Sequence, residues 1–272
     1  MAPGEVVGIA GPNGAGKSTL IAMLLGFLHP DEGTVRVDGV EPRAFIEREG
    51  VAYLPELMTI PPQWTVESAL DRLAVLNGIA PAERLAARER AIDAVGIGEH
   101  RNKRLKTLSK GNLQRLGLAQ ALLAERRVVV FDEPTHGLDP LWTARFRELV
   151  AGLRRPDRAI VIASHNLDEL ERLCDRVAIV DKGRVQRVVD VREATGASSA
   201  PRRWRLRAQV GIDALAAQFP DATVSGDTVE CSVDLAGLNR GLASAIAQGA
   251  LLSSVAPAES SLEEAFRSAV SQ

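Results

Sequence analysis

The chain carries few of the devices that would hold it together covalently or fix it in a bilayer. Its two cysteines, Cys174 and Cys231, lie far apart and in no metal-ligand spacing, so neither a disulfide framework nor a zinc site is available. Two such thiols fit a reducing compartment, each packed as a small apolar side chain. Long hydrophobic runs are missing too. Val128-Val129-Val130-Phe131 is typical of the longest, whereas a membrane-crossing helix needs about 20 apolar residues. Any membrane role therefore has to come through a partner. The opening Met1-Ala2-Pro3-Gly4-Glu5 has neither a basic stretch nor an apolar core, which reads as no secretory signal. There is no excess of positive charge: 33 Lys+Arg against 35 Asp+Glu leaves −2, and no direct binding of nucleic acid is expected. No internal repeat or long low-complexity tract is visible. What remains is an ordinary globular composition, 46% hydrophobic and 25% charged over 272 residues. That is enough for one large domain, with or without a small one.

Hydrophobic periodicity orders the rest. Val6-Val7-Gly8-Ile9-Ala10 reads as a buried strand, and residues 17–28 follow with a helical pattern of Leu20, Met23, Leu24 and Phe27. Thr34-Val35-Arg36-Val37 before Asp38-Gly39 predicts a strand entering a hairpin turn, and Val51-Ala52-Tyr53-Leu54 another short strand. Over 65–96 the pattern turns helical: Thr65 caps a helix carrying Val66, Leu70, Leu73 and Leu76, and Pro81 opens a second that ends near Gly96. With a third helix over about 112–126, this makes a helical subdomain at about 57–126. Strands at 128–132, 159–163 and 176–181 then alternate with helices near 141–153 and 167–173. Such alternation predicts an α/β domain over 1–190, its mainly parallel sheet covered on both faces. A linker is expected at 191–201, where Gly196-Ala197-Ser198-Ser199-Ala200-Pro201 breaks the pattern. Beyond it, 202–272 reads β-α-β-β-α-β plus a helix, a small α+β, ferredoxin-like C-terminal domain.

Three strand ends carry chemistry. Gly11-Pro12-Asn13-Gly14-Ala15-Gly16-Lys17-Ser18 fits G-x-x-x-x-G-K-[ST] between a strand and a helix, with Thr19 next. In that context the backbone N–H groups curl around phosphate oxygens and the helix N-terminus adds positive potential. Lys17 would reach the β- and γ-phosphates of ATP, and Ser18 would ligate Mg²⁺. The strand 128–131 runs into Asp132-Glu133. Asp132 would hold Mg²⁺ through water, while Glu133 would polarise a water for in-line attack on the γ-phosphate. Ser164-His165 follows the apolar strand 159–163, and delivery of all three strand ends to one crevice makes His165 a γ-phosphate contact. The fold class is then a P-loop NTPase.

With these residues in place, about 4–190 resembles the ATPases of ABC transporters. Leu108-Ser109-Lys110-Gly111-Asn112, then Leu113-Gln114-Arg115, is similar to the family's signature. The resemblance implies that Ser109, Lys110 and Gly111 reach the γ-phosphate bound by the opposite subunit of an ATPase dimer. Thr135-His136-Gly137-Leu138-Asp139 resembles the dimer-contacting loop, with Asp139 its acidic residue, and His165 falls at the switch histidine. Glu56 stands where most members carry a Mg²⁺-ligating Gln; Lys110 replaces a signature Gly and Asn112 a Gln. Glu56 and Lys110, with a tail similar to Ser260-Ser261-Leu262-Glu263-Glu264-Ala265-Phe266, are features of the exporter-type subfamily. The family pattern has a further strand pair ahead of Val6, with an aromatic that stacks on adenine. Tyr53 is a poor substitute, so the adenine is expected to lack its platform within this chain. The resemblance implies ATP-driven export through an integral membrane permease encoded separately, with the ATPase at the cytoplasmic face of the membrane. A non-transport ATPase of the same family, acting on nucleic acid or the ribosome, is the second reading. One cassette and no basic block count against it.

Overall fold

The computed structural model describes residues 1–191, 202–258 and 261–270. The chain divides into two compact units, Met1–Val188 and Val189–Gln272. Beyond Val191, the linker read at 191–201 lies outside the described residues, as does Ser260 of the C-terminal motif. Among the described residues no helix is long and apolar enough to cross a membrane.

The first unit is built on a six-stranded sheet. In chain order the strands are β1 (Val6–Ala10), β2 (Ala52–Leu54), β3 (Val128–Asp132), β4 (Ala159–Ser164), β5 (Arg176–Asp181) and β6 (Arg184–Asp190). In space they run β2-β3-β4-β1-β5-β6. The pairs β2/β3, β3/β4, β4/β1 and β1/β5 are parallel. These strands are apolar without alternation because helices lie on the sheet: Val6, Ile9, Val129, Phe131, Ile160 and Ile162 are all buried. Each such side chain contributes about 1.5–3 kcal/mol by leaving water. The helices are α1 (Lys17–Leu24), α2 (Pro42–Glu49), α3 (Val66–Leu76), α4 (Arg84–Ala94), α5 (Lys110–Ala121), α6 (Pro140–Leu153) and α7 (Leu167–Leu173). Thr65 and Ser68 form a reciprocal capping box at the start of α3, which fixes where the helical segment begins.

Two local expectations need correction, and two further elements carry no clear sequence pattern. The predicted strand at 34–37 is a single bridge between Val37 and Val40. Asp38 and Gly39 do turn there with positive φ, 51° and 78°, but among the described residues the segment makes no further strand pairing, so no ladder forms. The first helix ends at Leu24, not 28, since Gly26 takes φ 65° and leaves the helix. Helix α2, opened by Pro42, carries too few apolar residues, Phe45 and Ile46, to announce itself by periodicity. Strand β6 was invisible because five of its seven residues are exposed.

The second unit holds β7 (Arg202–Val210), α8 (Ile212–Ala216), β8 (Thr223–Ser225), β9 (Thr228–Val233), α9 (Leu235–Ala247), β10 (Leu251–Pro257) and α10 (Ser261–Val270). Its sheet runs β10-β7-β9-β8 and its three strand pairs are all antiparallel. That β-α-β-β-α-β connectivity, with the unit's first and third strands central and its second and fourth at the edges, is ferredoxin-like. One sheet face packs Leu206, Val229 and Cys231 against Leu215, Phe219 and Leu238 from the helical side. Arg203, Arg205 and Arg207 alternate onto the opposite, exposed side. Both cysteines are buried, and burial pushes the thiols up, that of Cys231 to about 11.

Candidate nucleotide site

Parallel neighbours point their C-terminal ends the same way, so β2, β3, β4 and β1 empty onto one edge of the sheet. The loop after β1 needs its glycines. A Cβ on Gly11 would sit 2.4 Å from the Val180 carbonyl oxygen, and Gly16, at φ 105°, turns the chain into α1. The loop leans on the β5–β6 turn, where Gly183 N–H donates to the Ala15 carbonyl at 2.9 Å. Lys17 is buried at 7% exposure and donates to the Gly11 carbonyl at 2.8 Å.

Facing it are the residues after β3 and β4. Ser18 Oγ donates to Asp132 Oδ2 at 3.1 Å. The other oxygen, Oδ1, is buried and without a partner. Burial holds the Asp132 carboxyl above its ordinary range, with Glu56 and Glu133 adding to the shift against the Ser18 bond. Glu133 is also buried and takes the left-handed backbone, φ 49°. Its carboxylate is gripped on several sides: His165 N–H at 3.1 Å, His165 Nδ1 at 2.8 Å, Ser164 Oγ at 3.4 Å and Lys17 Nζ at 3.6 Å. Because a carboxylate only accepts, Nδ1 of His165 carries the proton in that contact, which leaves Nε2 for another partner.

These groups line a cavity of about 340 Å³. Pro12, Asn13, Gly14, Gly16, Lys17, Ser18 and Thr19 form one side; Glu56, Asp132, Glu133 and His165 form the other. The predicted residues Ser109, Lys110, Gly111 and Asp139 are not in it. Instead Ser109 caps α5 through Asn112 N–H at 3.3 Å, and Asp139 caps α6 through Trp142 N–H at 2.9 Å. The start of α5 lies against the loop before α6, since a Cβ on Gly111 would lie 3.1 Å from the Gly137 carbonyl.

The sequence reading gave no site role to three residues here. His136 lines the cavity, and as a turn residue it leaves no periodic trace. Gln114 bonds the backbone of the Glu133 loop. Glu169 is 1% exposed, accepts from the Thr135 hydroxyl and has its carboxyl raised by burial. A signal for Glu169 did exist: it shares the buried stripe of α7 with Leu170 and Leu173, where a carboxylate is out of place.

A glycine-cornered loop opening a helix, with Asp-Glu ending the next strand but one, defines a P-loop nucleotide hydrolase. The model of the ABC transporter family matches residues 1–136, half of the chain. The Nod factor export ATP-binding protein I of Paraburkholderia xenovorans is 32% identical over 249 residues, which are 86% of this chain and 78% of that protein. An uncharacterized ABC transporter ATP-binding protein of Bacillus subtilis is 36% identical over 191 residues, 69% of this chain and 61% of that protein. Among solved structures, an ATP-binding subunit of an ABC transporter superposes with TM-score 0.64 at 28% identity, covering 70% of this chain and 80% of its own. A dimeric bacterial ABC transporter cassette reaches 0.65 at 23% identity, with 70% and 87% covered, a likeness of fold alone. The chain belongs to the ABC transporter family and is one of its ATPases.

Proposed function

We propose that this ATPase drives export of a substrate through an integral membrane permease, and that it works as a dimer at the cytoplasmic face of the membrane. The observation that carries the reading is one cavity that gathers Lys17, Ser18, Asp132, Glu133 and His165 from three adjacent strand ends. In the proposed mechanism the loop 11–18 cradles the phosphates of ATP through its backbone N–H groups, and Lys17 leaves the Gly11 carbonyl for the terminal phosphates. Glu133 accepts a proton from the attacking water as that water adds in line to the γ-phosphorus and the bond to the β–γ bridging oxygen breaks, giving ADP and phosphate. His165 holds Glu133 by Nδ1–H and, with both ring nitrogens protonated, would donate from Nε2–H to the γ-phosphate. Mg²⁺, when bound, would neutralise charge developing on the phosphate oxygens. Ser18 Oγ, the unpartnered Oδ1 of Asp132 and the Glu56 carboxylate are hard oxygen donors that suit it.

A dimer gives the two capped helix ends a task. Ser109, Lys110 and Gly111 at the start of α5, next to the loop ending in Asp139, would close over the γ-phosphate of the opposite subunit, where the α5 dipole favours an anion. A groove of about 280 Å³ lined by Tyr53, Met58, Ile60 and Leu73 would suit the permease. Leu57 and Leu76 stand beside it in sequence at 81% and 80% exposure, an apolar patch that asks for a partner. Export as the direction rests on the relatives named as Nod factor export proteins. The test is co-expression with a candidate membrane protein from a neighbouring reading frame that carries about six apolar segments. The complex is expected to co-purify from membranes and to hydrolyse ATP faster than the free subunit. Failure to co-purify, with ATPase activity intact, would leave an ATPase of this family without a transport role.

A further inference from the structure

Gln114 lies in the second turn of α5, the helix that starts at the signature residues. Its side-chain amide donates to two consecutive backbone carbonyls, Glu133 O at 3.1 Å and Pro134 O at 2.9 Å. The Glu133 carbonyl takes a second bond from His136 N–H, also at 3.1 Å. Glu133 needs such holding. Its left-handed φ of 49° is one a side-chain-bearing residue keeps only when its surroundings impose it. Its N–H is fixed by the Ala163 carbonyl at 2.9 Å and its carboxylate by Ser164, His165 and Lys17. All of those belong to the strand ends and the phosphate loop. Gln114 comes from the helical segment instead.

Helix α5 is itself firmly tied. Arg115, 8% exposed, donates to the Val95 carbonyl at 2.9 Å, to the Gly96 carbonyl and to Asn112 Oδ1 at 2.9 Å. Its guanidinium lies 3.8 Å over the Trp142 ring. Gln120, near the other end of α5, donates to the Tyr53 carbonyl. The helix that starts at the signature residues is thus joined through Gln114 to two successive peptides, those after Glu133 and Pro134.

We propose that Gln114 is a positioning residue through which the signature helix sets the orientation of Glu133. The inference rests on Glu133 acting as the base. Attack in line tolerates little error, and a displacement of about 1 Å costs on the order of 10²-fold in rate. Hydrolysis is thereby coupled to the docking of α5 and not only to the presence of ATP.

The test uses Gln114→Met, which keeps the volume and removes the donor, and Gln114→Glu, which sets an acceptor against two acceptors. Each is made in the wild type and in Glu133→Gln, and kcat, KM, ATP affinity and Tm are measured. A fall in kcat of about 10- to 100-fold is expected for both, with KM and ATP affinity within about threefold of wild type. In the Glu133→Gln background neither change should lower the residual rate further, because Gln114 acts only through Glu133. Wild-type kcat in Gln114→Met overturns the proposal. So does an equal proportional loss in both backgrounds, since that marks a general structural role. If neither variant folds, Gln114→Asn, which keeps the amide on a shorter arm, should give a reduced kcat, and a wild-type value sinks the idea. Glu133→Gln alone separates the layers: vigorous hydrolysis by that variant removes the base assignment, whatever Gln114 does.

Discussion

The two units bury different things. In residues 1–188 the buried set includes Lys17, Arg115, Asp132, Glu133, Arg158, Ser164, Glu169 and Asp181. In the C-terminal unit, among the described residues, the buried set is apolar throughout: Leu206, Leu215, Phe219, Val229, Leu238 and neighbours. A buried charge costs free energy unless it is paired and hydrogen-bonded. Lys17, Asp132 and Glu133, gathered where the parallel strands end, are a cost accepted for chemistry. The ferredoxin-like unit carries no such cost and has the core of a domain selected for stability. The contrast predicts opposite responses to substitution.

The largest effect belongs to Glu133→Gln. Loss of the general base should lower ATP hydrolysis by about 10²–10⁴-fold while ATP binding persists. Single-turnover kinetics and equilibrium ATP binding check this, and hydrolysis within about threefold of wild type would erase the distinction drawn between the units. Next comes Phe219→Ala in the apolar unit. Phe219 is 5% exposed, and its ring occupies the space a Cβ on Gly241 would need. We expect a loss of about 3–5 kcal/mol of that unit's stability by denaturant titration, with kcat per folded molecule unchanged. A parallel fall in kcat would mean the two cores are not energetically separate.

Asp132→Asn sharpens the comparison because stability and activity should part ways. Burial raises the Asp132 carboxyl in the fold, so the folded chain binds its proton more tightly than the unfolded chain, whose Asp titrates near ~3.9. Ionised Asp132 therefore destabilises the fold. The penalty is absent below the unfolded pKa, grows as pH rises through the interval, and is complete above the folded pKa. Without nucleotide, Asp132→Asn should have the higher Tm at neutral pH, and its advantage should vanish as pH is lowered toward 4. An advantage independent of pH would contradict the assignment. The same variant should lose Mg²⁺-dependent hydrolysis. The smallest effect is expected for Glu56→Gln. Either side chain offers an oxygen to Mg²⁺, so basal ATPase should stay within about threefold. Glu56→Ala should instead shift the Mg²⁺ titration to higher concentration.

A cross-subunit test bears on residues outside the cavity. Mixing Ser109→Arg subunits with Lys17→Ala subunits leaves one interface carrying neither lesion in each heterodimer. Activity should exceed that of either variant alone once heterodimers are demonstrated; equal activity would confine Ser109 to its observed role as a helix cap.

The legible parts of the molecule are those whose chemistry is local. The phosphate loop announces itself because Gly11 and Gly16 are needed for backbone approach and turning, and Lys17-Ser18 must follow at fixed distance. Buried parallel strands such as Val128–Asp132 read as apolar runs for the same reason. Strand β6 and helix α2 escaped because neither buries a continuous stripe. Gln114 escaped because a glutamine on a helix looks alike whether it faces solvent or two carbonyls.

By itself, then, the sequence determined the parallel α/β order, the β-α-β-β-α-β succession of the C-terminal unit, and Lys17, Ser18, Asp132, Glu133 and His165 as candidates. Each of these is encoded within a few neighbouring residues. The tertiary structure alone decided which candidates meet. It brought Nδ1 of His165 to 2.8 Å from Glu133 across 32 positions and left one Asp132 oxygen buried without a partner. It also tied Gln114 to the backbone beyond Glu133. Those contacts join elements distant in the chain, and strand order and helix docking, which no local pattern encodes, set them.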